Sequence, residues 1–281
     1  MSSTRRLRIQ WEAGAVTAED AALDRLLDEG STLACPVTAY GSQPDQVYET
    51  CTPDAAAPAS DAAAPTASTP PTLIVVHGGY FRPAIDRTHA RPMARALAAA
   101  GWRVVLAEYR RVPGDPTATT DDLTALDTHL REAGHEIACW VGHSAGGALV
   151  MWRALHHALP PTRAVALAPV ADFDTAVADH LGNDAVRDWI GADPQQAPDL
   201  YAQLDPTRLA AAADLAAPNL TATNPAAAQR ITVLHGEDDA TVPLRLTQGW
   251  ERTVLPGAHH FDVIDPASSH WPSVVAALTQ G

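Results

Sequence analysis

A serine, Ser144, lies at the centre of a G-x-S-x-G turn over residues 142–146. The turn follows the apolar segment Ile137–Val141 and precedes an apolar segment that starts at Ala145. A serine between a buried strand and a helix takes a strained backbone conformation, so the residues two positions away must be nearly free of side chains. The pattern therefore predicts a nucleophilic hydroxyl lifted clear of a sheet, with the Ala145 N–H placed to stabilise an oxyanion.

A second glycine-containing segment, residues 77–82 (HGGYFR), directly follows the apolar run Leu73–Val76. Such a run is typical of a central strand that is buried on both faces. Glycines let the backbone turn closely around a bound group, so N–H groups after Gly78 can face the serine. We expect an oxyanion-binding loop here. We expect His77 to brace this loop by hydrogen bonding, because it lies at a strand end, far from the usual position of a general base.

The serine also needs a general base and an acid that orients that base. With this kind of turn, the acid follows a late strand and the histidine follows the last strand. The apolar segments Ile231–Leu234 and Thr253–Leu255 are the late strands of this chain. The candidates are Asp238, Asp239 and, less favoured, Asp172 for the acid, and His259, His260 and, less favoured, His270 for the base.

Short apolar runs alternate with amphipathic helices along most of the chain. This alternation predicts an α/β fold with a mostly parallel, doubly wound sheet, preceded by two antiparallel strands. The further predicted strands are Pro36–Tyr40, Gln46–Cys51, Arg103–Glu108 and Arg163–Ala168, and the predicted helices are Ala18–Glu29, His89–Ala100, Thr119–Ala133 and Pro272–Thr279.

The 281 residues are enough for one large domain, which we expect to span 1–281. Two segments interrupt the alternation of strands and helices. Residues 53–71 are rich in Ala, Pro, Ser and Thr and cannot bury a core, which predicts an exposed flexible loop. Residues 172–228 contain helical stretches and no clear strand, which predicts a helical cap inserted over the site.

Composition excludes several classes of function. The net charge of −14 argues against binding to nucleic acids or anionic membranes. All 19 basic residues are arginine, which excludes a Schiff-base lysine, a phosphate-binding P-loop lysine and a Ser–Lys dyad. No apolar run approaches membrane-spanning length, and the N-terminal arginines precede no apolar segment, so we expect a cytoplasmic protein without a signal peptide.

The three cysteines, Cys35, Cys51 and Cys139, are widely spaced and form no C-x-x-C motif. This usage predicts reduced, mostly buried thiols in a cytoplasmic protein, although a Cys35–Cys51 bridge stays open. The histidine pairs at 156–157 and 259–260 lack the spacing of a metal-ligand set, so we expect no metal.

Together these motifs resemble those of the α/β-hydrolases, and among them the esterase and kynurenine-formamidase-like branch. The likeness runs from about Gln46 to the C-terminus, and the motifs agree in order and spacing. They are the H-G-G-x-W signature at 77–81, with Phe81 where tryptophan is usual, Y-R-R at 109–111, the G-H-S-A-G-G turn at 142–147, the H-G-x-x-D-x-x-V-P acid loop at 235–243 and the G-x-x-H-F histidine loop at 257–261.

The resemblance implies an α/β-hydrolase fold and a serine hydrolase that cleaves a small carboxylic ester or an aryl formamide through an acyl-enzyme. It assigns the catalytic roles to Ser144, Asp239 and His260. It assigns the oxyanion-hole N–H groups to Gly79, Tyr80 and Ala145, with Gly78 shaping the loop. It implies no metal and no cofactor.

Three further points stay open. The same fold also serves non-hydrolytic roles, such as acyl transfer or cyclisation in a biosynthetic pathway, or ligand binding. The expected partner is a small-molecule ester or amide substrate, with no nucleic acid and no membrane, and a homodimer is left open.

A substrate carboxylate would need an arginine near the site, although a salt bridge within the protein is the simpler use of each candidate. These candidates are Arg82, Arg87, Arg110 and Arg111.

Overall fold

The computed structural model describes residues 17–53, 70–156, 159–216 and 229–279. Eight strands lie within these ranges and form one sheet. The strands are β1 (Val37–Ala39), β2 (Val47–Cys51), β3 (Thr72–Val76), β4 (Arg103–Ala107), β5 (Ile137–His143), β6 (Arg163–Leu167), β7 (Ile231–Gly236) and β8 (Arg252–Leu255).

The strand order is β1-β2-β4-β3-β5-β6-β7-β8. Strands β1 and β2 pair antiparallel, β2 joins β4 antiparallel, and every later pair is parallel. The predicted doubly wound, mostly parallel sheet with an antiparallel start is therefore confirmed. Because parallel strands share one carboxyl edge, the segments that follow β3, β5, β6, β7 and β8 meet at that edge.

Nine α-helices lie within the described ranges. They are α1 (Ala18–Gly30), α2 (Arg91–Ala99), α3 (Pro116–Glu132), α4 (Ala145–Leu155), α5 (Phe173–Ala178), α6 (Leu181–Ile190), α7 (Pro198–Leu204), α8 (Pro206–Ala216) and α9 (Trp271–Thr279). The first turn of α6 is irregular, because the backbone of Gly182, Asn183 and Asp184 is left-handed. None of the helices in the described ranges is long and apolar enough to cross a bilayer.

The core is split into two layers by the sheet. Alternate residues of β3 point to opposite faces, so that Leu73 and Val75 pack in one layer and Ile74 and Val76 in the other. Helices α1, α2 and α9 cover the first layer, and α3 and α4 cover the second. Helices therefore cover both faces of the sheet, which matches the continuous apolar sequence of the central strands.

The two segments that break the strand–helix alternation are only partly described. Residues 54–69 of the predicted loop over 53–71 lie outside the described residues. The insertion between β6 and β7 contains α5 to α8 up to residue 216, and residues 217–228 lie outside the described ranges. The helical content expected there is present as far as the structure describes it, and the cap function stays a prediction.

One expectation from the sequence is wrong. Cys35 and Cys51 form a disulfide, so the three thiols are not all reduced, and Cys139 is the free, buried cysteine. The bond ties the segment after α1 to the end of β2. The two cysteines are 16 residues apart in sequence, and only the pairing of β1 with β2 brings them together.

We expect that replacing both Cys35 and Cys51 by serine lowers the free energy of unfolding by about 3 kcal/mol, because the open chain regains the entropy of a loop of this length. Urea unfolding of the double variant and the wild type measures the difference. Alkylation of the wild type in denaturant without reductant should label Cys139 and leave Cys35 and Cys51 unmodified. Three reactive thiols in that experiment would contradict the disulfide.

Candidate active site

Ser144 lies at the junction of β5 and α4 with a left-handed φ of 56° and a ψ of −119°. The two glycines of the motif explain how the chain tolerates this turn. A Cβ on Gly142 would overlap the Gly146 carbonyl oxygen, and a Cβ on Gly146 would overlap the carbonyl oxygens of Val76 and His77. Neither position has room for a side chain, so both glycines of the motif are required by close packing.

The segment after β3 runs directly beside the serine. A Cβ on Gly78 would lie 3.0 Å from the Ser144 Cβ and 3.0 Å from the His143 carbonyl oxygen. The next residues, Tyr80 and Phe81, have left-handed φ angles of 55° and 54°. Such strain in two successive non-glycine residues costs free energy and is typical of functional sites. The H-G-G segment therefore forms a tight loop against the serine.

The insertion after β6 packs onto this loop. Phe81 stacks on Trp189 of α6, with ring centroids 4.3 Å apart and the planes inclined by 13°. Arg82 donates hydrogen bonds to the carbonyl oxygens of Gly182 at 2.9 Å and Asn183 at 2.8 Å. A Cβ on Gly182 would overlap the Tyr80 ring. The strained loop and the left-handed start of α6 thus hold each other in place.

A buried carboxylate, Glu108, holds the loop from beneath. His77 Nε2 lies 3.0 Å from Glu108 Oε1, and His77 Nδ1 lies 2.6 Å from the Gly78 carbonyl oxygen. Arg111 also donates to Glu108 Oε1, and Arg87 donates to Oε2 at 3.1 Å. His77 therefore braces the loop by hydrogen bonding, as its position in the sequence suggested.

The charges around Glu108 set its ionisation. Burial alone would raise its pKa, but the neighbouring His77 and Arg111 outweigh burial and hold the pKa of Glu108 well below its ordinary value. Glu108 stands at the end of the predicted strand Arg103–Glu108. An acid at the carboxyl end of a strand was the available signal for this residue, and the sequence analysis missed it.

Asp239 and His260 meet at the same edge of the sheet. His260 Nδ1 lies 2.8 Å from Asp239 Oδ2, and both residues are buried, with exposures of 2% and 6%. Asp239 Oδ1 accepts the Val242 N–H at 2.6 Å, and His235 Nε2 lies 3.3 Å from Oδ2. Burial would raise the pKa of Asp239, but His260 and these hydrogen bonds hold it well below its ordinary value, so the carboxylate stays ionised.

The two competing acids are placed differently. Asp238 is exposed. Asp172 caps α5 by accepting the Thr175 N–H at 2.9 Å.

The competing histidines are not paired with Asp239. The Nδ1 atom of His259 accepts the Phe261 N–H at 3.2 Å and lies 3.4 Å from Asp262. His270 lies in the turn before α9. Of the candidates from the sequence, the structure brings together Asp239 and His260 as a hydrogen-bonded pair.

His143 links the histidine loop to the serine turn. Its Nε2 donates to the His260 carbonyl oxygen at 3.0 Å, and the two imidazole rings are 4.5 Å apart. Burial lowers the pKa of His143 well below its ordinary value, so the ring is neutral and carries its proton on Nε2. The residue before Ser144 therefore fixes the backbone of His260.

The four arginines considered for a substrate carboxylate all donate to protein acceptors. Arg110 pairs with the buried Asp122 at 2.6 Å, and Arg82 donates to the carbonyl oxygens at the start of α6. Arg87 and Arg111 both pair with Glu108. Salt bridges and hydrogen bonds within the protein therefore account for all four.

Within the described residues, one cluster of acids has the spacing of a metal-ligand set. Single ligand atoms of Asp172, Asp174 and Asp205 lie within 4.8 Å of one another. Each carboxylate already has protein donors: Thr175 for Asp172, Arg208 for Asp174 and three backbone N–H groups for Asp205. The cluster therefore serves the caps and contacts of α5 and α8.

Comparison with known proteins agrees with this architecture. A model of the alpha/beta hydrolase family matches residues 73–277, and no curated protein sequence matches the chain. Among solved structures, a proposed thioesterase from Silicibacter sp. is 21% identical, with a TM-score of 0.61 over 95% of this chain and 96% of the other.

Two further structures are similar at lower identity. Esterase B from Lactobacillus rhamnosis is 18% identical, with a TM-score of 0.61 over 92% of each chain. Esterase 2 from Thermogutta terrifontis with bound propionate is 16% identical, with a TM-score of 0.56 over 87% of this chain and 92% of the other. At these identities the likeness establishes the fold.

We expect Glu108→Gln to lower the free energy of unfolding by about 3 kcal/mol at neutral pH, because it leaves buried cations without their counter-charge. The pKa of Glu108 is lowered on folding, so its stabilising effect is fully present above the unfolded-state pKa and is progressively lost as pH falls from there to the folded-state value. The stability difference between wild type and variant should therefore shrink with acidification.

Urea unfolding of both proteins from neutral pH down to about pH 3 measures this difference. Glu132→Gln, at an exposed position of α3, is the matched control and should change stability little. A difference between Glu108→Gln and wild type that stays constant with pH would contradict the assigned ionisation.

Proposed function

Because the chain belongs to the alpha/beta hydrolase family, we propose that it is a serine hydrolase that cleaves small carboxylic esters. The observation that carries the proposal is the hydrogen-bonded pair Asp239–His260, which His143 links to the turn of the strained Ser144. A nucleophile, a base and an orienting acid are the groups that a Ser-His-Asp triad uses for acyl transfer through a covalent intermediate.

Acylation follows from the orientation of His260. Its Nδ1 faces Asp239, so Nε2 is the nitrogen left for the serine. His260 takes the Ser144 proton as the serine oxygen attacks the ester carbonyl carbon, and Asp239 stabilises the imidazolium that forms. The intermediate collapses to an acyl-serine, and the alcohol leaves with the proton from His260. Water then attacks the acyl-serine with the same base, which releases the acid and restores Ser144.

The negative charge on the intermediate needs N–H donors. Ala145 is the first residue of α4, so its N–H is not used by the hydrogen bonds of that helix. The N–H groups of Gly79 and Tyr80 complete the proposed oxyanion hole, and Gly78 brings their loop against the serine. Removing one such donor typically costs about 3 kcal/mol in transition-state stabilisation.

Burial and charge favour a small, uncharged substrate. Ser144 is only 3% exposed, and the insertion after β6 packs onto the adjoining loop, so a short acyl group fits better than a long chain. The arginines that could have bound an amino-acid carboxylate are paired within the protein. We therefore favour a neutral ester over an amino-acid-derived aryl formamide as the substrate class.

The sequence and the structure give different indications of the cellular location. The sequence favoured the cytoplasm, whereas the Cys35–Cys51 disulfide favours an oxidising compartment, because cytosolic thiols are kept reduced in most organisms.

A paired assay of the wild type and Ser144→Ala tests the proposal. We expect turnover of a short p-nitrophenyl ester, with kcat/KM lowered by about a millionfold in the variant, because the nucleophile is lost. N-formyl-L-kynurenine is the second substrate. A kcat/KM for the formamide several decades above that for the ester would instead identify a formamidase. Failure of the wild type on both, or unchanged turnover in the variant, would favour a biosynthetic or binding role.

Asp239→Asn and Asp238→Asn separate the two candidate acids. We expect Asp239→Asn to lower kcat by about ten-thousandfold, because an amide at this position no longer favours the productive His260 tautomer. Asp238 is exposed, so Asp238→Asn should remain close to the wild type. The reverse order of effects in ester hydrolysis would overturn the assignment of the acid.

A further inference from the structure

Glu19 lies in the first turn of α1, and its side chain is buried. An acid at this position of a helix is ordinarily exposed or takes part in the cap. The capping box of this helix is made by its neighbours, since Thr17 Oγ1 accepts the Asp20 N–H at 3.1 Å and Asp20 accepts the Thr17 N–H at 2.9 Å. Glu19 is therefore not needed for the cap. Its exposed fraction is 8%, and its carboxylate is directed at residues more than two hundred positions away in the sequence.

The Glu19 carboxylate joins the loops that carry Asp239 and His260. Oε1 accepts the N–H of Ala240, directly after Asp239, at 2.9 Å. The same oxygen accepts the N–H of His260 itself at 3.2 Å. Oε2 accepts the Thr241 hydroxyl at 2.5 Å. One side chain thus fixes the backbone of both partners of the Asp239–His260 pair.

The contact extends to the loop after β3 through Thr241. The Thr241 hydroxyl also lies close to the phenol of Tyr80, and burial raises the pKa of Tyr80 to about 12, so the phenol stays protonated. The Thr241 hydroxyl thus contacts both the Glu19 carboxylate and the Tyr80 phenol. Glu19 therefore lies where the acid loop, the histidine loop and the proposed oxyanion loop converge.

Helix α1 is anchored firmly enough to act as a support. Leu26 is fully buried in the core layer that also contains Val263 and Ile264, just after the histidine loop. Arg25 pairs with Asp265 in the same segment. A movement of Glu19 relative to His260 would have to break these contacts as well.

We infer that Glu19 is a positioning residue of the proposed hydrolase. It sets the distance and orientation between Asp239 and His260 by hydrogen bonds to the backbone, without touching substrate. The inference rests on the proposed function for its kinetic consequence. Its structural consequence, an ordered Asp239–His260 hydrogen bond, is measurable without any substrate.

Three substitutions at Glu19 distinguish hydrogen-bond geometry from charge. Glu19→Gln keeps the length of the side chain: its oxygen can accept both N–H groups, and its amide N–H can donate to the Thr241 hydroxyl oxygen. Glu19→Asp keeps the charge but is one methylene too short to reach both loops. Glu19→Ala removes both properties.

We expect Glu19→Ala and Glu19→Asp to lower kcat/KM for a short p-nitrophenyl ester by about a hundredfold, mainly through kcat, because a small displacement of the base is costly. Glu19→Gln should stay close to the wild type. Asp20→Ala, which weakens only the cap of the same helix, is the control for helix stability and should keep the wild-type kcat. Thermal unfolding of all variants separates lost positioning from lost folding.

The second readout is the far-downfield proton resonance of His260 Nδ1–H, identified by its absence in His260→Gln. We expect this resonance in the wild type and Glu19→Gln, and its loss or displacement in folded Glu19→Ala and Glu19→Asp. Wild-type behaviour of Glu19→Ala in this spectrum would overturn the inference, as would equal loss of the resonance in Glu19→Gln and Glu19→Ala. A wild type without esterase activity would overturn the proposed function, while the spectra would still decide the role of Glu19.

Discussion

The close approach of α4 to the ends of β3 and β5 is the constraint on which the site depends. Gly146 lies against the carbonyl oxygens of Val76 and His77, and Gly142 lies against Gly146. Because glycine has no side chain at either position, the helix can start directly at the edge of the sheet. Ser144 is thereby held at a positive φ, and this conformation presents its side chain at the edge of the sheet.

Local sequence patterns sufficed to predict most of the fold. The central strands are continuous apolar runs, and such runs are typical of strands that are buried on both faces. The strand predicted as Leu73–Val76 is observed as Thr72–Val76, and the helix predicted as Ala18–Glu29 ends at Gly30. Errors of one or two residues at such ends are expected, because helix and strand ends have weak sequence signals. The predicted helix His89–Ala100 is a short 3₁₀ turn over Arg87–Ala90 followed by α2.

Contacts between distant segments could not be predicted in the same way. The Cys35–Cys51 disulfide depends on the pairing of β1 with β2, and nothing in the spacing of the cysteines required it. The ion pair of Arg87 with Glu108, 21 positions later, is likewise a contact between separate segments. Motif spacing favoured Asp238 or Asp239 as the acid, with Asp172 less favoured, and the resemblance chose Asp239. The hydrogen bond to His260 places Asp239 alone in the pair.

Two buried carboxylates divide the support of the site between them. Glu108 holds the loop after β3 from beneath, mainly with charged partners, and its ionisation depends on those charges. Glu19 holds the loops after β7 and β8 with neutral donors, two of which are backbone N–H groups. A carboxylate that binds backbone N–H groups fixes main-chain positions, whereas a salt bridge between long side chains tolerates movement.

This difference matches the demands of the two parts of the site. The proposed oxyanion loop would have to keep a strained backbone from relaxing, and the charge pairing of Glu108 with Arg87 and Arg111 opposes that relaxation. The Asp239–His260 pair has to keep one distance and one angle, which short hydrogen bonds to the main chain control more tightly. Tyr80 belongs to the first loop and Thr241 to the second, so their hydroxyl contact couples the two supports. The carboxyl edge of the sheet is therefore held as one unit, although its loops come from four separate parts of the chain.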